Sequence, residues 1–105
     1  MLYKIKSIKH SGTCGWRGTE RTDGRYPLRI GRVVSLEYKC LETGYPLVIR
    51  YMKDSDGSPM RFSLLKTSNV IDFKIEFRSY DLYVVVETEN SIFEFERVDE
   101  IEEDE

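Results

Sequence analysis

A chain of 105 residues with 40% hydrophobic content suits one domain and is too apolar for the disordered class. No run approaches the roughly 18 apolar residues of a membrane-spanning helix, MLYKIKSIKH lacks the apolar core of a secretory signal, and two distant cysteines read as reduced thiols. These features predict a cytoplasmic protein with no membrane partner. The net charge of −3 conceals an asymmetry: residues 1–32 carry +6, residues 33–78 carry +1 and residues 79–105 carry −10.

In chain order, Tyr3 and Ile5 alternate with Lys4 and Lys6, which predicts a strand over 2–9. Gly12, Gly15, Gly18 and Gly24 then make residues 10–24 a long loop. A second strand is expected over 25–39, with Tyr26, Leu28 and Ile30 inward and Arg25 and Arg29 outward. Pro27 confines it to an edge or a bulge, because proline has no N–H for a ladder. Further strands are expected over 46–53, 60–66, 70–78, 82–88 and 91–98. The alternation is clearest where Ile71, Phe73, Ile75 and Phe77 interleave with Asp72, Lys74, Glu76 and Arg78. Turn chemistry separates these runs at Glu42–Pro46, Asp54–Pro59, Arg78–Asp81 and Thr88–Ser91, and a single helical turn fits at Leu64–Ser68. No long amphipathic helix competes. The expected fold is all-β: a small antiparallel barrel or meander, SH3-like, over residues 1–98. A mobile acidic tail follows over 99–105, whose residues with Val98 include six acids in eight positions.

TSNV at 67–70 and VVVETENSIFEFE at 84–96 resemble the C-terminal hairpin of small bacterial and phage-encoded proteins of unknown function. In those proteins a T-x-N-S-x-Y/F step, here Thr88, Asn90, Ser91 and Phe93, turns one strand into the next. The resemblance implies a prokaryotic or phage origin and an all-β fold. It implies no activity.

Catalytic patterns fail on spacing. Cys14 and Arg21 are separated by six residues where a cysteine phosphatase loop has five, and Glu20 would repel phosphate. His10, Cys14 and Cys40 fall short of the four ligands of structural zinc. Asp54-x-Asp56-Gly57 reads as a hairpin and lacks the remaining oxygens of a calcium loop. One histidine without a nucleophile elbow gives no triad, and Glu94 with Glu96 reads as a solvated strand face. The expectation is a non-enzymatic protein without a cofactor.

The feature above background is GWRGTERTDGRYPLRIGR at 15–32, with Arg17, Arg21, Arg25, Arg29 and Arg32 beside Trp16 and Tyr26. In an extended chain the first four arginines share one exposed side, about 13 Å apart. Three readings follow. Outward arginines protect a strand edge from pairing. Guanidinium forks bind phosphate while Trp16 or Tyr26 stacks on a base, which suits a nucleotide or nucleic acid. Or the segment meets an acidic protein surface, including this chain's own tail in a homo-oligomer. The favoured reading is a protein-interaction or inhibitor module acting through residues 15–32. Nucleotide or nucleic-acid binding is the alternative.

Overall fold

A computed structural model describes residues 2–13, 15–36, 41–60 and 63–98. Their elements run β1 (Leu2–His10), α1 (Tyr26–Arg29), β2 (Val33–Ser35), β3 (Pro46–Lys53), β4 (Leu64–Arg78), β5 (Asp81–Thr88) and β6 (Ser91–Val98). Each strand pairs antiparallel with the next, and β6 returns to β1, so the six described strands form a closed ring. Among the described residues no helix is long and apolar enough to cross a membrane. The expectations for Cys14, residues 37–40, residues 61–62 and the acidic tail fall outside the described residues.

Strand alternation builds the core directly. Tyr3, Ile5 and Ile8 of β1, Leu47, Ile49 and Tyr51 of β3, Val84 and Val86 of β5, and Phe93 and Phe95 of β6 are all buried. The rings of Phe93 and Phe95 stack with centroids 5.8 Å apart. Tyr51 is buried and its hydroxyl has no partner among the described residues, so its ring serves packing while its oxygen carries a desolvation cost. Ring closure brings some of the opposite charges together. Basic β1 lies against acidic β6, with Lys4 opposite Glu96 and Ser7 opposite Glu94. Lys6 reaches Glu96 at 3.5 Å and Lys9 reaches Glu94 at 3.9 Å. Burial alone would raise the Glu94 pKa. Hydrogen bonds from Ser7, at 2.6 Å, and Arg78, with the charge of Lys9, outweigh it and hold the pKa below the usual glutamate value.

Several expectations are corrected. Of the described residues of the expected strand over 25–39, Val33–Ser35 is strand and Tyr26–Arg29 is one helical turn. Pro27 sits at its start, where its missing N–H costs nothing. Leu28 is exposed rather than inward. The helical turn expected at Leu64–Ser68 is strand, and the separate runs 60–66 and 70–78 become the single long β4 from Leu64. Thr67 supports that extension by accepting the Leu47 N–H at 2.9 Å. The turn at Thr88–Ser91 follows its local chemistry: the Thr88 hydroxyl accepts the N–H groups of Asn90 and Ser91.

Candidate interaction surface

β2 covers only the first part of β1, from Leu2 to Lys4. The remaining edge of β1 is covered by the arginine segment itself. Ile5 N–H donates to the Arg32 carbonyl and receives the Gly31 N–H on its own carbonyl, at 3.0 and 2.8 Å. Farther along, Arg21 N–H donates to Ile8 and His10 N–H donates to Thr19, at 2.9 and 2.8 Å. The expected open loop is therefore an ordered cover on a sheet edge. Gly15 permits its close return, since a Cβ there would lie 2.7 Å from the His10 ring. A Gly18 N–H bond to the His10 carbonyl at 2.8 Å fixes the same turn.

The arginines do not form one exposed row. Arg21 is buried, which corrects its expected outward position. Its guanidinium donates to both Asp23 oxygens at 3.1 and 2.5 Å, to Ser91 Oγ at 2.8 Å and to the Asn90 carbonyl at 3.2 Å. It also lies 4.0 Å from the Tyr26 ring centre. The hydrogen bond from Arg21 is the main cause holding the Asp23 pKa below the usual aspartate value. Arg29 contacts the same Tyr26 ring at 4.8 Å. Arg32 stacks on Tyr51 at 4.8 Å and bonds Asp54 at 3.1 Å, which ties the start of β2 to the turn after β3. Arg17 makes a two-armed pair with Glu87, one arm at 2.7 Å, and that pairing raises its pKa. Tyr26 packs on the core. Trp16 is 85% exposed, and Arg25 is exposed beside α1. Of the seven expected contact residues, then, Arg21, Tyr26, Arg29 and Arg32 are tied to the fold, Arg17 is bound to a neighbour, and Trp16 and Arg25 face solvent.

A second surface emerges on β4. β3 pairs with β4 only between Pro46↔Asn69 and Arg50↔Leu64, and backbone bonds from Gly44 and to Tyr45 end that contact at Val70. Beyond Val70, no described residue pairs with the outer edge of β4. On the other side β5 pairs without a break from Asp72↔Glu87 to Arg78↔Asp81. Phe73, Ile75 and Phe77 lie opposite Val86, Val84 and Leu82 and therefore share their face. Val84 and Val86 are fully buried, yet Phe73, Ile75 and Phe77 are 40%, 54% and 79% exposed. The core face thus continues past its cover into an open apolar stripe. Ile71, at the bulge between Val70 and Asp72, is exposed as well.

The hairpin tip closing this stripe has an unusual conformation. Among the described residues, Ser79 and Tyr80 are the non-glycine residues with positive φ, +48° and +75°, and Tyr80 is fully exposed. Two such residues fit the primed turn that matches the twist of paired strands, though at a local cost for side chains bearing a Cβ. A two-residue loop closes on the hydrogen-bonded pair Arg78 and Asp81. Ladder alternation then directs the N–H and C=O groups of Phe73, Ile75 and Phe77 away from β5, to the open edge. The Phe73 N–H is capped locally by the Asp72 carboxylate at 2.9 Å.

The alternation at 71–78 was visible in the residues, but its exposure was not, because that depends on where β3 stops. Compared with family models, curated proteins and solved structures, the chain matches none.

Proposed function

We propose that the protein is a non-enzymatic protein-interaction module, and that its contact surface is the open apolar edge of β4 rather than residues 15–32. One observation carries this reading. Phe73, Ile75 and Phe77 form an exposed stripe along a strand edge that no other described strand pairs with. Unpaired edges and contiguous apolar patches are features that soluble proteins suppress unless a partner covers them. The contrast within the molecule supports it: the arginine segment covers the β1 edge, whereas no described residue covers this one. Added-strand pairing supplies affinity through backbone bonds and specificity through alternate side chains. An inhibitor role and a prokaryotic or phage origin remain part of the proposal through the resemblance at 67–96. The SH3-like description belongs here too, supported by the small closed ring of antiparallel strands.

Phosphate recognition has less to draw on. A nucleotide would meet Trp16 and Arg25, and would gain Arg17 only by displacing Glu87. The test is a photo-crosslinking residue at position 77, expressed in cells that make the protein naturally, with position 45 as an exposed control. The proposal expects a covalent protein adduct from position 77 and not from position 45. No adduct at position 77 contradicts it.

A further inference from the structure

We infer that the partner of this edge is a second copy of the chain, paired β4 to β4, antiparallel, about a two-fold axis through Ile75. The inference rests on the interaction reading above and adds the identity and register of the partner.

Charge pattern selects the register. The edge reads Ile71-Asp72-Phe73-Lys74-Ile75-Glu76-Phe77-Arg78. With Ile75 opposite Ile75 of the second copy, Lys74 faces Glu76 and Asp72 faces Arg78. Symmetry doubles each contact, so four opposite-charge pairs line one face. On the other face Phe73 meets Phe77, again twice, around the central isoleucine pair. Moving the axis by one residue destroys this pattern. An axis at Lys74 sets lysine against lysine and Asp72 against Glu76. An axis at Glu76 sets glutamate against glutamate and Lys74 against Arg78. The Ile75 register also satisfies the backbone, because Phe73, Ile75 and Phe77 present their N–H and C=O groups outward and become the hydrogen-bonded pairs.

The charges involved are free to repartner. Glu76 is held by Lys74 at 2.8 Å and Arg78 at 2.6 Å within the strand, and Arg78 also reaches Glu94 at 3.1 Å. These exposed contacts exchange for cross-strand ones at little cost. Asp72 releases the Phe73 N–H and meets the arginine of the second copy. The same register sets Ser79 opposite Ile71 and carries the hairpin tip, with fully exposed Tyr80, past the apolar bulge of its partner. An eight-residue edge is a small interface, so the association is concentration-dependent.

Sedimentation velocity over about 1–300 μM, the range suited to interfaces of modest size, provides the test. Wild type should shift from monomer to dimer. Lys74→Glu alone places two glutamate pairs in the interface, and Glu76→Lys alone places two lysine pairs there. Each should weaken dimerisation about tenfold or more while retaining the wild-type circular dichroism spectrum and a cooperative melting transition. An equimolar mixture of the two variants should recover dimer. The Lys74→Glu strand is acidic at both positions and the Glu76→Lys strand is basic at both, so opposite charges again face each other across the axis. Wild type that stays monomeric, single variants that dimerise normally, or a mixture that stays monomeric each overturns the inference. A foreign protein captured at position 77 beside a monomeric wild type would leave the interaction reading intact and remove only the second copy. Absence of both would remove the two together.

Discussion

Arg21 and Arg25 lie four positions apart and have opposite physical situations. Arg21 is buried with its donors spent on Asp23, Ser91 and the Asn90 carbonyl, whereas Arg25 points into solvent. Hydrogen bonds involving a charged group are stronger than neutral ones, and Arg21 joins the loop to the β5–β6 turn. Arg21→Ala should therefore cost about 2–3 kcal/mol of stability in urea unfolding. Arg25→Ala should stay within about 0.5 kcal/mol. Equal losses would mean that the loop is not anchored through Arg21. Tyr51 makes the opposite prediction. Its buried hydroxyl has no partner among the described residues, so Tyr51→Phe should raise stability by about 1 kcal/mol while the ring remains available to Arg32. None of this was legible in the arginine spacing. A four-residue repeat looks like a row only if the chain is extended, and a glycine-rich turn followed by one helical turn sends the side chains to different places.

At the scale of elements, period-two alternation located β1, β3, β5 and β6 to within a residue or two, because each buries one face in the ring. It did not distinguish covered from uncovered strand. Ile75 and Val84 face the same side from opposite strands, yet one is half exposed and the other buried. The difference is set by the end of the β3 contact at Val70, which no local pattern encodes. The fate of Tyr26–Arg29 was equally hidden, since Pro27 is compatible with an edge strand or with the first turn of a helix. The β4–β5 turn offers an element-scale test. Replacing Ser79 by Asn and Tyr80 by Gly supplies the residues that favour two positive φ angles. The change should stabilise the monomer by about 1 kcal/mol, read as a higher denaturation midpoint with an unchanged m-value. An unchanged or lower midpoint would mean that the tip carries no local cost.

For the whole molecule, the lysines of β1 meet Glu94 and Glu96 of β6 as the ring closes. Asp23, Glu76 and Glu94 all have folded-state pKa values below their ordinary ones, through Arg21, through Lys74 and Arg78, and through Ser7, Arg78 and Lys9 against the effect of burial. A lowered carboxylate stabilises the fold above its ordinary pKa and loses that contribution as pH falls through the folded value. The melting temperature should thus hold near neutrality and fall below about pH 4.5. Glu94→Gln should flatten that fall, and a profile as steep as wild type would show that the acid sensitivity arises elsewhere. Dimerisation should weaken over the same acid range and in high salt, since its register depends on exposed ion pairs. The most direct test of the open edge is hydrogen exchange at low and high protein concentration. In the monomer the Ile75 and Phe77 amides face solvent and should exchange rapidly, while their β5 partners Val84 and Leu82 do not depend on association. At high concentration the Ile75 and Phe77 amides should become protected, with residues 15–32 unchanged. Concentration-dependent protection in 15–32, with Ile75 and Phe77 still exchanging freely, would contradict the account.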